Sequence, residues 1–267
     1  MRPKVKLLSD LRIAECRHAA RQLLRRFHVE SPAAIDVETL AWFAGKLRIR
    51  LGGLSGSEGR IVATESDGGV IRVASDKNLG RFRFTIAHEL GHFILHQHSN
   101  IDRTLETKHF TVWTKATEEA EANYFAAELL MPEFLFKSHC KGKPSIALLD
   151  TLAGEFQTSL IATAFQFWEY TKEPLALVLS NGWDMKCFRP FKDGWPRIQY
   201  GEIHEHSAAG ERLDGKSEDS GRMVRTPAYA WLEGFDDRPD KDIMEDSRYL
   251  DYYDRTVTLL WIDEDLN

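Results

Sequence analysis

Two histidines and a glutamate, His88, Glu89 and His92, stand in the order His-Glu-x-x-His within RFTIAHELGHFILH, residues 83–96. On an α-helix, residues four apart lie one above the other, so His88 and His92 can turn both imidazoles toward one point. That arrangement seats a metal ion. Glu89, one step round the helix, can reach a metal-bound water without coordinating the ion, so the pattern points to zinc with Glu89 as general base. A chance pair on a solvated face is the competing reading. Against it, Ile86, Leu90, Phe93 and Ile94 recur at helical spacing while Phe84, Ala87 and Leu95 cover other sides, so the helix is largely buried. Gly91 in its middle costs on the order of 1 kcal/mol relative to alanine unless another element packs closely there.

Hydrolytic zinc usually takes three protein ligands and leaves a fourth position to water, so one more ligand is needed. His98 has the six-residue spacing from His92 used in His-Glu-x-x-His-x-x-Gly-x-x-His enzymes, but Leu95 stands where that pattern breaks the helix with glycine, so His98 points away. The other candidate is Glu119, at the start of a helix capped by Thr117. That helix carries Ala122, Phe125, Ala126, Leu129 and Leu130 on one face and stops at Pro132. Acids in a first turn are favoured by the helix dipole in any case, and Glu118 and Glu121 share that explanation. Helical facing favours Glu119, with Glu121 next, and sets Asn123 one turn on to orient a ligand.

Composition bounds the rest. A chain of 267 residues with 43% hydrophobic and 28% charged residues describes a soluble globular protein with room for one large core and smaller modules. The first residues have charges throughout and no unbroken apolar run, so a cytoplasmic location is expected. Cys16, Cys140 and Cys187 form no CxxC pair, which argues against a disulfide framework or a thiolate zinc site. Residues 201–267 hold 18 acids against 8 Lys and Arg, a balance of -10, which leaves +4 before them out of -6 in total. Such a tail repels nucleic acid and suits a basic protein, although a solvated acidic surface explains it equally well.

Amphipathic spacing predicts a helix over 11–27 and a shorter one over 35–44. LRIRLGG, GRIVAT and GVIRVAS then read as a small antiparallel sheet leading into the histidine helix, with an edge to which an extended peptide could add. Residues 97–117 form a long polar connection with one strand-like patch, HFTVW, and are either a rim over the site or a loose link. Residues 145–170 hold two helical patterns parted near 157–159. The second has no lysine or arginine and carries Glu169, so a packing role through Leu160, Ile161, Ala164, Phe165 and Trp168 is expected instead of groove reading. Beyond 174 come strands: LALVLS and MKCFRP around a type I′ Asn181-Gly182 turn, then PAYAWLEG, RYLDYY and TVTLLWID after a mobile loop at 211–221.

RFTIAHELGHFILH followed by EEAEANYFAAELLMP resembles the ImmA/IrrE family of bacterial metallopeptidases, over residues 11–132. The resemblance places the family's glutamate ligand on Glu119, its Ala-Asn on Ala122 and Asn123, and its Leu-Leu-Met-Pro on Leu129 to Pro132. His96 matches a further histidine common in the family, either lining the pocket or simply buried with its bonds made. The fold expected is α+β: a zincin-like core at 1–132, a helix-turn-helix-like segment at 133–172 and a β-rich domain at 173–267 that recognises substrate or a regulator. The resemblance implies a zinc endopeptidase that cleaves a transcriptional repressor, often of helix-turn-helix type, to release stress or mobile-element genes. Glu89 would take a proton from zinc-activated water, whose pKa falls toward about 7, and return it to the leaving amine. His96, His109 and Tyr124 are the candidates for the oxyanion donor. The alternative is a regulator that binds a repressor without cutting it, and a DNA-binding factor is disfavoured by the acid balance.

Overall fold

Helix starts leave backbone amides without partners, and in the first half of the chain side chains supply them. Ser9 caps α1 (Asp10–Arg26), Asp36 accepts from Glu38 and Thr39 at α2 (Val37–Gly45), and Asn78 accepts from Arg81 at α3 (Leu79–Leu95). Between α2 and α3 run β1 (Leu47–Gly52), β2 (Gly59–Thr64) and β3 (Gly68–Ala74). This computed structural model describes residues 8–52, 59–64, 68–75, 78–96, 118–192, 194–215 and 222–263. The expected rim at 97–117, with His98, His109, the HFTVW patch and the Thr117 cap, lies outside them, as do 216–221 of the expected loop.

The chain divides into two compact units, Met1–Phe136 with Ala153–Ser159, and Lys137–Leu152 with Leu160–Asn267. In the first, the three strands lie in the order β1-β3-β2. The expected antiparallel sheet is in fact mixed: β2 pairs antiparallel with β3, while β1 runs parallel to β3 in the register Leu47↔Gly69. The alternation of residue types sets which face is buried but not which strand is the neighbour, and β2 is carried past β3 to an edge. Ile61, Ala63, Ile71 and Val73 point inward, while Val62 and Arg72 are exposed. α3 contacts β2, β3, α1 and α4 (Glu118–Leu130). It buries Phe84, Ile86, Ala87, Leu90 and Phe93, each large side chain contributing roughly 1.5–3 kcal/mol.

Gly91 is the point of closest approach between α3 and α4. A β-carbon there would lie 3.2 Å from Ala122 Cα and 3.1 Å from the Phe125 ring, so the sequence reading of a tight contact holds. A short helix, α5 (Glu133–Phe136), follows Pro132. The unit is completed by the end of α6 (Ile146–Phe156) and the residues after it. A β-carbon on Gly80, in the first turn of α3, would meet the Thr158 backbone at 2.5 Å.

The second unit is built on an antiparallel sheet in the order β5-β4-β8-β7-β6. Its strands are β4 (Leu175–Asn181), β5 (Asp184–Arg189), β6 (Val224–Pro227), β7 (Asp242–Leu250) and β8 (Arg255–Trp261). α7 (Leu160–Tyr170) packs on β4, and Trp168 Nε1 donates to the carbonyls of Leu175 and Pro190. The helical segment 133–172 is therefore divided between the two units and forms none of its own. α8 (Ala208–Leu213), capped by Ser207, takes in the start of the expected loop. Buried Glu245 accepts from the amides of Ala208 and Ala209, from Trp231 Nε1 and from Ser247 Oγ, so its charge is fully met.

Two local expectations differ. Asn181 pairs with Asp184 as the last residue of β4, its amide donating to Asp254, so the loop is Gly182-Trp183. Positive φ falls there on Gly182 alone, which the type I′ turn does not allow. PAYAWLEG supplies only Pro227 to a strand; Ala228–Ala230 form a 3-10 turn that buries Ala228 and leads to buried Trp231, after which Leu232 makes a single antiparallel bridge to Ile198. Among the described residues no helix is long and apolar enough to cross a membrane. The Gly91 contact carries a test: Gly91→Leu should lower the melting free energy by about 1–3 kcal/mol, read by denaturant unfolding, because α4 has nowhere to retreat.

Candidate metal centre

α3 presents His88 and His92 on one face, one turn apart, and α4 brings Glu119 opposite them. His88 Nε2 lies 3.2 Å from Glu119 Oε2, His92 Nε2 lies 3.2 Å from Glu119 Oε1, and the two Nε2 atoms are 3.1 Å apart. These are the spacings of a coordination shell. A tetrahedral ion with bonds of about 2.0–2.1 Å has ligand-to-ligand edges of about 3.3 Å. Both histidines are almost wholly buried, whereas the Glu119 side chain is 37% exposed, so the cluster opens to solvent on the glutamate side. His88, His92 and Glu119 are the group among the described residues that could hold a metal ion.

The donor chemistry fits a cation. Asn123 Oδ1 lies 2.9 Å from His88 Nδ1, and His96 Nδ1 lies 3.1 Å from His92 Nδ1. With a hydrogen on each Nδ1, both Nε2 atoms offer lone pairs to the point that Glu119 also faces. Burial alone would drive His88 toward its neutral form, but its bond to Glu119 and the nearby charges outweigh this and raise its pKa. Burial drives His92 down to about 4, with the charges of His88 and His96 adding to it. Burial would raise the Glu119 carboxyl, yet its bonds to both imidazoles hold it far below the usual carboxylate range. One positive charge is thus favoured at the centre of the three groups.

Glu89 sits one residue along α3, entirely buried; among the described residues no side chain bonds its carboxylate oxygens, and the group nearest to doing so is the Ile61 amide of β2. Burial pushes its pKa up to about 7, opposed by the charge of His88 and the nearby Ile61 amide and assisted by Glu119. β2 crosses directly over it. A β-carbon at Gly59 would lie 2.8 Å from Glu89 Oε1 and 2.4 Å from Thr85 Cγ2, so only glycine fits between strand and helix here.

Of the acids at the head of α4, Glu118 is exposed, and Glu121 turns to His96 Nε2 at 3.0 Å and to Arg12 at 2.5 Å, away from the cluster. Tyr124 is buried with the Arg17 guanidinium 5.3 Å from its ring centre, and His96 is engaged with His92 and Glu121. Sequence reasoning missed Gly59 and Arg12. The glycine-rich stretch before β2 signals a turn but not which glycine meets the helix. Arg12 lies 109 residues from its partner, with no local pattern to mark it.

Residues 46–167 match the family model Peptidase_M78, the IrrE N-terminal-like domain. Among solved structures, a Mycobacterium tuberculosis transcriptional regulator aligns with a TM-score of 0.58 at 15% identity, covering 94% of this chain and 88% of that one, which is a likeness of fold. None of the curated proteins compared with the chain matches it. The helices and sheet that gather two imidazoles and a carboxylate beside a buried glutamate therefore have the zincin-like fold of a metallopeptidase-like domain, and over residues 46–167 the chain is similar to the IrrE N-terminal-like domain.

Proposed function

We propose that the protein is a zinc endopeptidase whose ion is held by His88, His92 and Glu119, with Asn123 orienting His88 and Glu89 as the general base. The observation that carries this reading is the convergence of three ligand atoms within 4.8 Å of one another beside Glu89, a buried carboxylate with no side-chain partner among the described residues. A non-catalytic binder has no use for such a group, whose burial without a partner costs stability. Zinc, when bound, supplies a Lewis acid for the carbonyl and a lowered pKa for water. Glu89 would take the proton from the attacking water and give it to the leaving amine. A buried carboxyl raised above its ordinary range, as burial raises Glu89, is suited to both tasks.

Among the described residues β2 stands at an edge of its sheet and its Gly59 approaches the Glu89 carboxylate, so this is where an extended substrate would add as a further strand. The substrate we infer is a DNA-binding repressor of helix-turn-helix type, so that cleavage in the cytoplasm releases stress or mobile-element genes. The regulator of similar fold fits a role in transcriptional control. The β-rich part, residues 173–267, would recognise substrate or a regulator.

Three measurements test this. Glu89→Gln should lower peptide-bond cleavage on the order of 100- to 10,000-fold while the protein still takes up one zinc per chain; unchanged cleavage of a co-encoded repressor would refute the catalytic role. Glu119→Ala should lose both cleavage and zinc, with a chelator reproducing the loss in the unmodified protein and added zinc reversing it. Gly59→Val should crowd Glu89 and depress kcat with zinc content unchanged, as read by metal analysis beside the kinetics.

A further inference from the structure

We propose that His96, Glu121 and Arg12 form a hydrogen-bonded relay that fixes the ring of His92, making them positioning residues for metal binding. The inference rests on the metal reading above and adds a set of residues to it. His92 can present a lone pair at Nε2 only as the tautomer with hydrogen on Nδ1. That Nδ1 must then donate, and the atom it faces, His96 Nδ1 at 3.1 Å, must accept. Acceptance there places the His96 hydrogen on Nε2, which faces Glu121 Oε2 at 3.0 Å. The same carboxylate oxygen receives the Arg12 guanidinium at 2.5 Å, and Arg12 is itself held by Glu15 at 3.0 Å. Every link thus runs in one sense, from the surface of α1 through α4 to the end of α3, and leaves the His92 lone pair at the cluster.

Burial grades along the same line. Side-chain exposure falls from 35% at Arg12 through 13% at Glu121 and 7% at His96 to 2% at His92, so the inner bonds lie where water competes least. A histidine buried only for packing needs partners for its nitrogens, but no particular polarity toward a ligand. His88 provides the contrast: its Nδ1 meets the neutral amide of Asn123 directly, whereas His92 reaches a carboxylate through a second imidazole.

The test uses the full chain, stripped of metal and titrated with zinc against a chromophoric chelator, and with cobalt(II) for the visible spectrum of the coordinated ion. His96→Phe keeps a flat ring and removes the acceptor. It should weaken zinc binding about 10- to 100-fold and alter the cobalt spectrum, with the metal-free melting temperature recorded as the measure of folding. Glu121→Gln keeps an acceptor without the charge and should weaken binding several-fold. The double variant should bind no more weakly than His96→Phe alone, because both act through one line. Zinc affinity within twofold of the unmodified protein in His96→Phe, or, should that variant not fold, in Glu121→Gln, overturns the relay; so do losses that multiply in the double variant. An unmodified protein that takes up no metal overturns the metal reading and the relay together, whereas metal uptake unaffected by these substitutions overturns the relay alone.

Discussion

The spacing between α3 and α4 sets where their side chains can meet, and the contact of Gly91 with Ala122 and Phe125 makes that spacing close. Atoms 3.1–3.2 Å apart in the His88, His92 and Glu119 cluster leave little slack for a change in the spacing of the two helices. The sheet on the other side of α3 and α1 beyond α4 complete the clamp. Their burial of Ile61, Ile71, Leu24 and Phe125 holds α3 and α4 together against the repulsion of closely set polar groups.

The same crowding links folding to metal binding. Without a cation, three electron-rich groups compete for few hydrogens in a dry interior, and His92 is forced neutral while Glu119 stays charged. A divalent ion bound there would offset that cost, and its occupancy would then be coupled to folding stability. Glu89 is different in kind. Its burial without a charged partner among the described residues disfavours the ionised form and raises its pKa.

The sequence disclosed those parts whose logic is local. The spacing of His88, Glu89 and His92 and the apolar positions around them define the helix and its burial without reference to anything distant, and the facing of Glu119 follows from its own helix. Strand partnership is not local: GRIVAT and GVIRVAS show which side chains turn inward, but nothing in them says that β1 lies parallel to β3 with β2 outside. PAYAWLEG shows the same limit, since an apolar run is equally at home in a buried turn. The link from His96 to Arg12 was hidden because a charged residue on an amphipathic helix looks solvated until its partner on another helix is known.

The first unit is closed by Ala153–Ser159, residues made after a stretch that belongs to the second unit. During synthesis on the ribosome, the histidines and Glu119 emerge well before Thr158 and Ser159 can settle against the start of α3 at Gly80. The nascent chain therefore carries His88, His92 and Glu119 in a shell that is completed only once Ala153–Ser159 have been made.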